Sequence, residues 1–197
     1  MSPSGVSSLV LATRNPHKVR EMSRLLEPAG IEVLPLAPGV ELPPEVGLTF
    51  SENALPKALT AARATGSPSI ADDSGIEAAA LGGAPGVRSA RYAGPEATDQ
   101  ENLEKLVAEV PAGSALRYVC ALAYVDPASG QERVFHGFCT GVRADTPRGT
   151  GGFGYDPIFI PQDGADDRTM AELSEQEKDL ISHRGRAARA LLSWLAG

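Results

Sequence analysis

Residues 9–18 read LVLATRNPHK: an apolar run, a polar turn and the start of a helical pattern. The apolar run predicts a buried strand. Asn15 is a favourable N-cap, and Pro16 suits the first position of a helix. A helix that begins where a strand ends points unpaired N–H groups at the turn, so the turn favours an anion such as phosphate, with Lys18 adding positive charge. The alternative is an ordinary βα turn with a solvated lysine.

Composition and charge restrict the class of protein. The chain has 197 residues, of which 42% are apolar, so it can bury a sizeable core. No stretch reaches the length of a membrane span, and residues 1–5 lack the features of a signal peptide. The formal charge of −7 argues against a nonspecific nucleic-acid surface, which needs a basic stripe. We therefore expect a cytoplasmic protein with neither membrane nor nucleic acid as a partner.

The rest of the chain alternates strands and helices without an internal repeat, which predicts one α/β domain. Residues 31–36 predict a second strand. Thr49 and Glu52 form a capping-box pattern that predicts a helix as far as Gly66. Pro56 conflicts with this helix, because proline removes a hydrogen bond and clashes with the preceding turn. We therefore expect a kink near Glu52 or a later start of the helix.

Two later apolar runs, residues 117–125 and 133–142, flank a short turn sequence and predict an antiparallel hairpin. This hairpin would make the sheet mixed. Cys120 and Cys139 lie in the two runs. In a reducing compartment they are expected to be small core residues, and not a disulfide or a metal-binding pair.

Earlier in the chain, two adjacent carboxylates follow a short predicted strand, residues 69–71. Asp72 and Asp73 at a strand end would repel one another unless a cation lay beside them, and Mg²⁺ is the natural candidate. Adjacent aspartates also occur as turn formers and helix caps. The pair alone leaves both interpretations open.

A glycine-rich segment, residues 149–157, reads GTGGFGYDP. Such a segment cannot form a regular helix or a central strand, and its backbone allows close approach of a planar ligand. An exposed aromatic side chain between glycines can stack on a base, for which Asp156 offers a directional acceptor. The alternative is a tight turn in which Phe153 and Tyr155 fill the core.

The C-terminal region predicts two helices. The first begins after Ser174 and contains Lys178, and Ser182 can cap the second. His183 and Arg184 then lie in the first turn of the last helix, where positive charge opposes the helix dipole. This placement indicates a ligand that offsets the unfavourable interaction between the positive charges and the dipole. The alternatives are a capping or core histidine and an arginine in a surface ion pair.

These motifs, in this order and at these separations, resemble those of the inosine triphosphate pyrophosphatase family over nearly the whole chain. Any one of them would be weak, but the full set makes chance similarity implausible. The matching segments are TRN with Lys18, GLTF and ENA with KA (residues 47–58), ADDSG (71–75), LGGAPG with SARY (81–92), GFGYDPIF (152–159), and EK with SHRG (177–185).

The resemblance implies hydrolysis of deaminated purine nucleoside triphosphates (ITP, dITP and XTP) to the monophosphate and pyrophosphate. Such an enzyme removes deaminated purines from the nucleotide pool. The implied fold is an elongated mixed α/β structure over residues 1–197, with two lobes, a central cleft and no separable linker. The family resemblance also implies a homodimer that requires Mg²⁺.

The resemblance implies roles for individual residues as well. Glu45 and Asp73 would hold the metal, and Asp73 would also activate the attacking water. The turn at residues 13–18 would bind the triphosphate, and residues 153–156 would stack on the nucleoside and hydrogen-bond to it. The complete substrate-binding set is Thr13, Arg14, Asn15, Pro16, His17, Lys18, Ser74, Phe153, Gly154, Tyr155, Asp156, Lys178, His183 and Arg184.

The choice of base follows from a chemical difference between purines. Hypoxanthine carries a 6-oxo group where adenine carries an amino group. A donor such as Arg184 or a backbone N–H would pair with the oxo group and be left unpaired opposite adenine.

Two other functions stay open at the level of sequence. A phosphatase could use Asp72 or Asp73 as a nucleophile, form an aspartyl-phosphate and release orthophosphate. A nucleotide-binding sensor would share the phosphate turn and the stacking aromatic but would have no use for a carboxylate that holds metal.

Overall fold

The structure is a computed structural model that describes residues 5–197. Its strands and α-helices are β1 (Ser8–Leu11), α1 (Pro16–Leu26), β2 (Glu32–Pro35), α2 (Phe50–Thr65), β3 (Ser69–Ala78), α3 (Asp99–Glu109), β4 (Ala115–Asp126), β5 (Gln131–Arg143), β6 (Phe159–Pro161), α4 (Glu175–Ile181) and α5 (His183–Leu195). The six strands form one sheet in the order β2-β1-β3-β4-β5-β6. Because β1 is parallel to β2 and β3 whereas β5 and β6 are antiparallel, the sheet is mixed, as predicted.

Two compact units divide the chain. The first contains the described residues up to Asp73, together with Cys120–Gly137 and Arg184–Gly197. Its core is built mainly from buried apolar side chains of β1, β3, β4, α1 and α5. These side chains are Leu9, Leu11, Met22, Leu26, Ile31, Ile70, Cys120, Leu122, Tyr124, Ala187, Ala188, Leu191 and Leu195.

The second unit contains Ser74–Val119 and Phe138–His183. Its core joins α3 to the strands and to the segment after the glycine-rich turn. The buried apolar side chains are Ile76, Ala78, Leu103, Leu106, Val110, Leu116, Tyr118, Cys139, Tyr155, Ile158, Phe159 and Met170. As expected from the sequence, both cysteine thiols are buried.

The strand–turn–helix at the start of the chain is confirmed. β1 ends at Leu11 and α1 begins at Pro16, with Asn15 as its N-cap. The Asn15 side-chain oxygen accepts the backbone N–H groups of His17 at 2.9 Å and Lys18 at 3.4 Å. Local capping chemistry therefore positions the first turn of α1.

The helix predicted from the capping box is also present, but the expectation of a later start was wrong. Thr49 and Glu52 form the complete box, so α2 begins at Phe50 and runs through Pro56 to the C-cap Gly66. Caps at both ends and a buried apolar face stabilise the helix. They offset the loss of one backbone hydrogen bond at the proline, which costs about 3 kcal/mol.

The third strand is longer than predicted, which corrects the placement of the two aspartates. β3 continues to Ala78, so Asp72 and Asp73 lie within the strand and not at its end. Successive side chains of a strand point to opposite faces of the sheet. The two carboxylates therefore have different neighbours, and their mutual repulsion is smaller than the sequence suggested.

The predicted hairpin is confirmed. β4 and β5 are neighbours in the sheet, and residues 127–130 join them. A connection this short joins antiparallel strands, since a parallel pair needs a crossover. Across residues 5–197, none of the helices is both long enough and apolar enough to cross a membrane.

Candidate active site

Asp72 lies at the centre of a buried network of charges in the first unit. Its Oδ2 accepts from Arg184 Nη2 at 2.8 Å and from Arg184 Nε at 3.2 Å, and its Oδ1 pairs with Lys18 Nζ at 3.2 Å. Burial alone would raise the pKa of Asp72, but the charges of Lys18, Arg184 and Lys57 hold this pKa well below its usual value. Asp72 is 0% exposed, so its carboxylate is not accessible as a nucleophile. It forms ion pairs with the surrounding cations instead.

Asp73 has a different environment. Its Oδ2 accepts from the Asn53 side-chain nitrogen at 2.9 Å, and 5% of its surface is exposed. Burial and the nearby charge of Glu45 raise the pKa of Asp73 above its ordinary value. A carboxylate with a raised pKa is a stronger base, so Asp73 is suited to accept a proton from water.

Two lysines lie beside these carboxylates. Lys57 Nζ donates to Glu45 Oε1 at 2.6 Å and to the Asp72 carbonyl oxygen at 2.9 Å, and Lys18 Nζ lies 3.4 Å from the same carbonyl. Cations at this place can stabilise negative charge that develops on a phosphate. We call the following seven residues the Asp73 cluster: Lys18, Glu45, Asn53, Lys57, Asp72, Asp73 and Arg184.

Glu45 and Asp73 are the two carboxylates that could hold a metal ion. Glu45 and Asp73 are close enough for the charge of one to raise the pKa of the other. Across residues 5–197, no three or more His, Cys, Asp or Glu side chains are grouped as a metal site. Mg²⁺ is commonly held by one or two carboxylates together with phosphates of the substrate. The pair therefore fits Mg²⁺ that enters with a triphosphate.

The turn before α1 carries the residues predicted to bind phosphate. The Asn15 side chain already accepts the N–H groups of His17 and Lys18, so these two groups are bonded within the protein. An anion at this turn would therefore depend more on charged side chains and less on helix N–H groups than the sequence suggested. Arg14 is exposed and donates to the Val40 carbonyl oxygen at 2.7 Å. The remaining members are Thr13, whose hydroxyl accepts the Asn15 N–H at 3.2 Å, the exposed Pro16, and His17, whose Nδ1 lies 2.8 Å from Arg20 Nη2.

A second group of predicted site residues surrounds Asp156 in the second unit. Asp156 Oδ2 accepts from Lys178 Nζ at 2.6 Å and from the Phe153 N–H at 2.9 Å, while Oδ1 accepts from the Tyr118 hydroxyl at 3.1 Å. Lys178 Nζ lies 5.2 Å from the centre of the Phe153 ring. The carboxylate therefore fixes an ammonium group beside an aromatic face. We call Tyr118, Phe153, Asp156 and Lys178 the Asp156 cluster.

The glycine-rich turn resolves the choice that the sequence left open between stacking and core aromatics. Phe153 is partly exposed, whereas Tyr155 is 6% exposed and its hydroxyl donates to the Ser89 carbonyl oxygen. The Tyr155 side chain is therefore part of the core. The backbone N–H of Gly154 donates to Asp99 Oδ2 at 3.1 Å.

The start of α5 places Arg184 in the interior of the first unit. Arg184 is 1% exposed and also donates to Glu21, so it forms a buried ion network and not a surface ion pair. The negative charges of Asp72 and Glu21 offset the unfavourable interaction of Arg184 with the helix dipole. The sequence suggested that a ligand would do so. A contact between Arg184 and a base would require this network to open. In this structure the arginine supports β3 through Asp72, and its contact with the base stays a prediction.

The remaining two predicted residues occupy different environments in the second unit. His183 is 6% exposed and stacks on Tyr118, with ring centres 4.6 Å apart and an angle of 10° between the ring planes. Ser74 follows Asp73 along β3 and is partly buried. The stack and the low exposure agree with the alternative of a core histidine, and a contact of His183 with substrate stays a prediction.

Three residues of these clusters received no role from the sequence: Asn53, Lys57 and Tyr118. Asn53 and Lys57 are buried and lie four residues apart on one side of α2. Polar residues on the otherwise apolar face of a helix are a usable signal. Tyr118 lies within an apolar strand, where a tyrosine is ordinary, so no comparable signal exists.

Comparison with known proteins supports a common family. The Ham1 family profile matches residues 9–194. The dITP/XTP pyrophosphatase of Yersinia pseudotuberculosis is 50% identical over 197 residues, which cover 96% of this chain and 98% of that protein. The dITP/XTP pyrophosphatase of Escherichia coli K12 is 48% identical with the same coverage.

Solved structures agree with this match. A HAM1 protein from Coxiella burnetii superposes with a TM-score of 0.83 at 42% identity and covers 95% of this chain and 98% of its own. A nucleoside-triphosphatase / dITP/XTP pyrophosphatase from Mycobacterium abscessus gives a TM-score of 0.71 at 44% identity and covers 94% and 98%. The fold and the sequence lead to one conclusion: this chain belongs to the Ham1 family.

Proposed function

We propose that this protein hydrolyses ITP, dITP and XTP to the monophosphate and pyrophosphate, and so removes deaminated purines from the nucleotide pool. The observation that carries the proposal is the geometry of the Asp73 cluster: Asp73 accepts from Asn53 at 2.9 Å, and Lys57 and Lys18 lie 2.9 and 3.4 Å from the carbonyl oxygen of the preceding residue. The names of the related pyrophosphatases support the substrate class.

The reaction is attack of water at the α-phosphorus. Asp73 takes a proton from the water as the new P–O bond forms. The bond between the α-phosphorus and the bridging oxygen breaks, and its electron pair leaves with pyrophosphate. Lys18 and Lys57 stabilise the negative charge that accumulates on the phosphates. Thr13, Asn15 and Arg14 belong to the turn that binds the triphosphate.

Glu45 and Asp73 are the residues that would hold Mg²⁺. When bound, this metal lowers the pKa of water and neutralises phosphate charge. The protein's own contribution is to hold the two carboxylates in place. Lys57 donates to Glu45 at 2.6 Å, and Asn53 donates to Asp73 at 2.9 Å.

We assign recognition of the base to the Asp156 cluster. Phe153 is partly exposed and can stack on a purine. Lys178, which Asp156 holds 5.2 Å from the centre of the Phe153 ring, is the donor that we assign to the 6-oxo group. Opposite the amino group of adenine that donor would lose its partner, which disfavours ATP.

We also propose a homodimer that acts in the cytoplasm. The family resemblance supports the dimer, and the location of the nucleotide pool supports the compartment. Sedimentation of the purified protein tests the first: a species of twice the chain mass supports it, and a monomer at micromolar concentration contradicts it.

Product analysis tests the proposed function. ITP and ATP are incubated separately with the protein, with and without Mg²⁺, and the products are separated. Monophosphate and pyrophosphate, formed faster from ITP and only with metal, are the expected result. Diphosphate and orthophosphate would instead indicate the phosphatase, and nucleotide binding without turnover would indicate the sensor.

A further inference from the structure

Asn53 on α2 has a buried side-chain amide that joins Asp73 to the loop that contains Glu45 and Gly47. Its side-chain oxygen accepts the backbone N–H of Gly47 at 2.8 Å, and its nitrogen donates to Asp73 Oδ2 at 2.9 Å. Because a backbone N–H can only donate, the amide oxygen must face Gly47 and the amide nitrogen must face Asp73. The chemistry of the two partners therefore decides the orientation of the amide.

Gly47 belongs to the loop that carries Glu45. The side chain of Glu52 fastens the same loop, since its Oε2 accepts the N–H groups of residues 48 and 49 at 2.7 and 3.1 Å. A Cβ at Gly47 would lie 2.8 Å from Asn53 Oδ1 and 2.6 Å from Glu52 Cβ. Only glycine therefore allows the loop to approach the Asn53 amide this closely.

We propose that Asn53 is a positioning residue for the hydrolysis: it sets the rotation of the Asp73 carboxylate and couples it to the loop of Glu45. This inference rests on the proposed function, because it gives Asn53 a part in that reaction. The energy wells of the aspartate χ2 torsion are broad, so the carboxylate alone has no sharply defined orientation. A hydrogen bond to one oxygen limits the rotation and keeps the base oriented toward its proton.

The chain offers a matched control. Asn102 on α3 is also buried, and its amide makes the same kind of bridge, accepting the Ala93 N–H at 2.8 Å and donating to the Ala90 carbonyl oxygen at 3.2 Å. Both asparagines tie a loop to a helix. Of these two asparagines, only Asn53 donates to a carboxylate of the Asp73 cluster. Comparing variants at the two positions therefore distinguishes positioning of Asp73 from general support of a loop.

Steady-state kinetics with ITP test the proposal. Asn53→Ala is expected to lower kcat about 10- to 100-fold, as is common when a partner of a site carboxylate is removed, with KM within about threefold of the original value. Asn102→Ala should leave kcat within about twofold at temperatures where both variants are folded. Asn53→Asp keeps the shape but loses the donor, so it should lower kcat at least as much as alanine.

Several results would overturn the proposal. Unchanged kcat in both Asn53 variants would do so, as would a change confined to KM, or an equal loss of kcat in Asn102→Ala. Asn53→Asp keeps the test valid if the alanine variant does not fold. Gly47→Ala gives an independent check, because its methyl group displaces the Asn53 amide and should also lower kcat. The unmodified protein is assayed first, so absence of ITP hydrolysis there refutes the proposed function rather than the role of Asn53.

Discussion

The substitution Arg184→Met tests whether the buried arginine supports the fold or contacts the base. The guanidinium group is 1% exposed and pairs with two carboxylates, those of Asp72 and Glu21, which are also buried. Removing one partner of a buried ion pair typically costs 3–5 kcal/mol, because the other charge stays buried without compensation. Methionine keeps most of the packing, so the loss is mainly electrostatic.

We expect Arg184→Met to lower the free energy of unfolding by about 4 kcal/mol, since the arginine pairs with two carboxylates at once. For a chain of this size, that loss corresponds to a decrease in Tm of about 8–16 °C. Urea unfolding can be followed by the fluorescence of Trp194, the single tryptophan, which packs against Tyr124 in the core of the first unit.

The control is Arg189→Met, because Arg189 is an exposed arginine on the same helix. This variant should change stability by less than about 0.5 kcal/mol. The preference for ITP over ATP is measured on folded Arg184→Met at low temperature. A loss of stability below about 1 kcal/mol combined with a narrowed preference for ITP would refute the structural role and restore Arg184 as a contact to the base.

Three further substitutions test other parts of the account. Asp73→Asn should lower kcat about 10²- to 10⁴-fold while ITP binding, measured by calorimetry, is largely retained; unchanged turnover would remove Asp73 from the mechanism. Gly152→Ala places a Cβ 2.0 Å from Asp156 Oδ2 at a positive φ of 68°, so it should raise the KM for ITP and lower the Tm, and an unchanged KM would contradict the assignment of this turn to the base. Tyr118→Phe keeps the stack on His183 but removes the hydroxyl that donates to Asp156, so urea unfolding should show a loss of about 1.5–3 kcal/mol, and an unchanged midpoint would show that this hydrogen bond contributes little.

Features that depend on neighbouring residues could be predicted from the sequence. Asn15 and Pro16 start α1, and the box of Thr49 and Glu52 starts α2, because capping acts over a few residues. The hairpin of β4 and β5 follows from two apolar runs around a short turn. Local patterns also singled out Lys18, Asp73 and Asp156, and the family resemblance combined them into one site and added Glu45.

Features that depend on distant residues could not be predicted from local rules. β3 continues through Asp72 because Arg184, 112 positions later in the chain, and Lys18, 54 positions earlier, compensate its charge. No local pattern shows that compensation, and an uncompensated pair of aspartates is indeed expected to end a strand. For the same reason the sequence did not show the ion pairs of Arg184, whose partners Asp72 and Glu21 lie 112 and 163 positions away.

The most direct test of the central claim is the position at which water attacks the triphosphate. ITP is hydrolysed in water enriched in ¹⁸O, and the two products are analysed by mass spectrometry after a single turnover. Attack at the α-phosphorus predicts one ¹⁸O atom in inosine monophosphate and none in pyrophosphate. Label in pyrophosphate would place the attack at the β-phosphorus, and label in orthophosphate would indicate a phosphatase; either result would contradict the account.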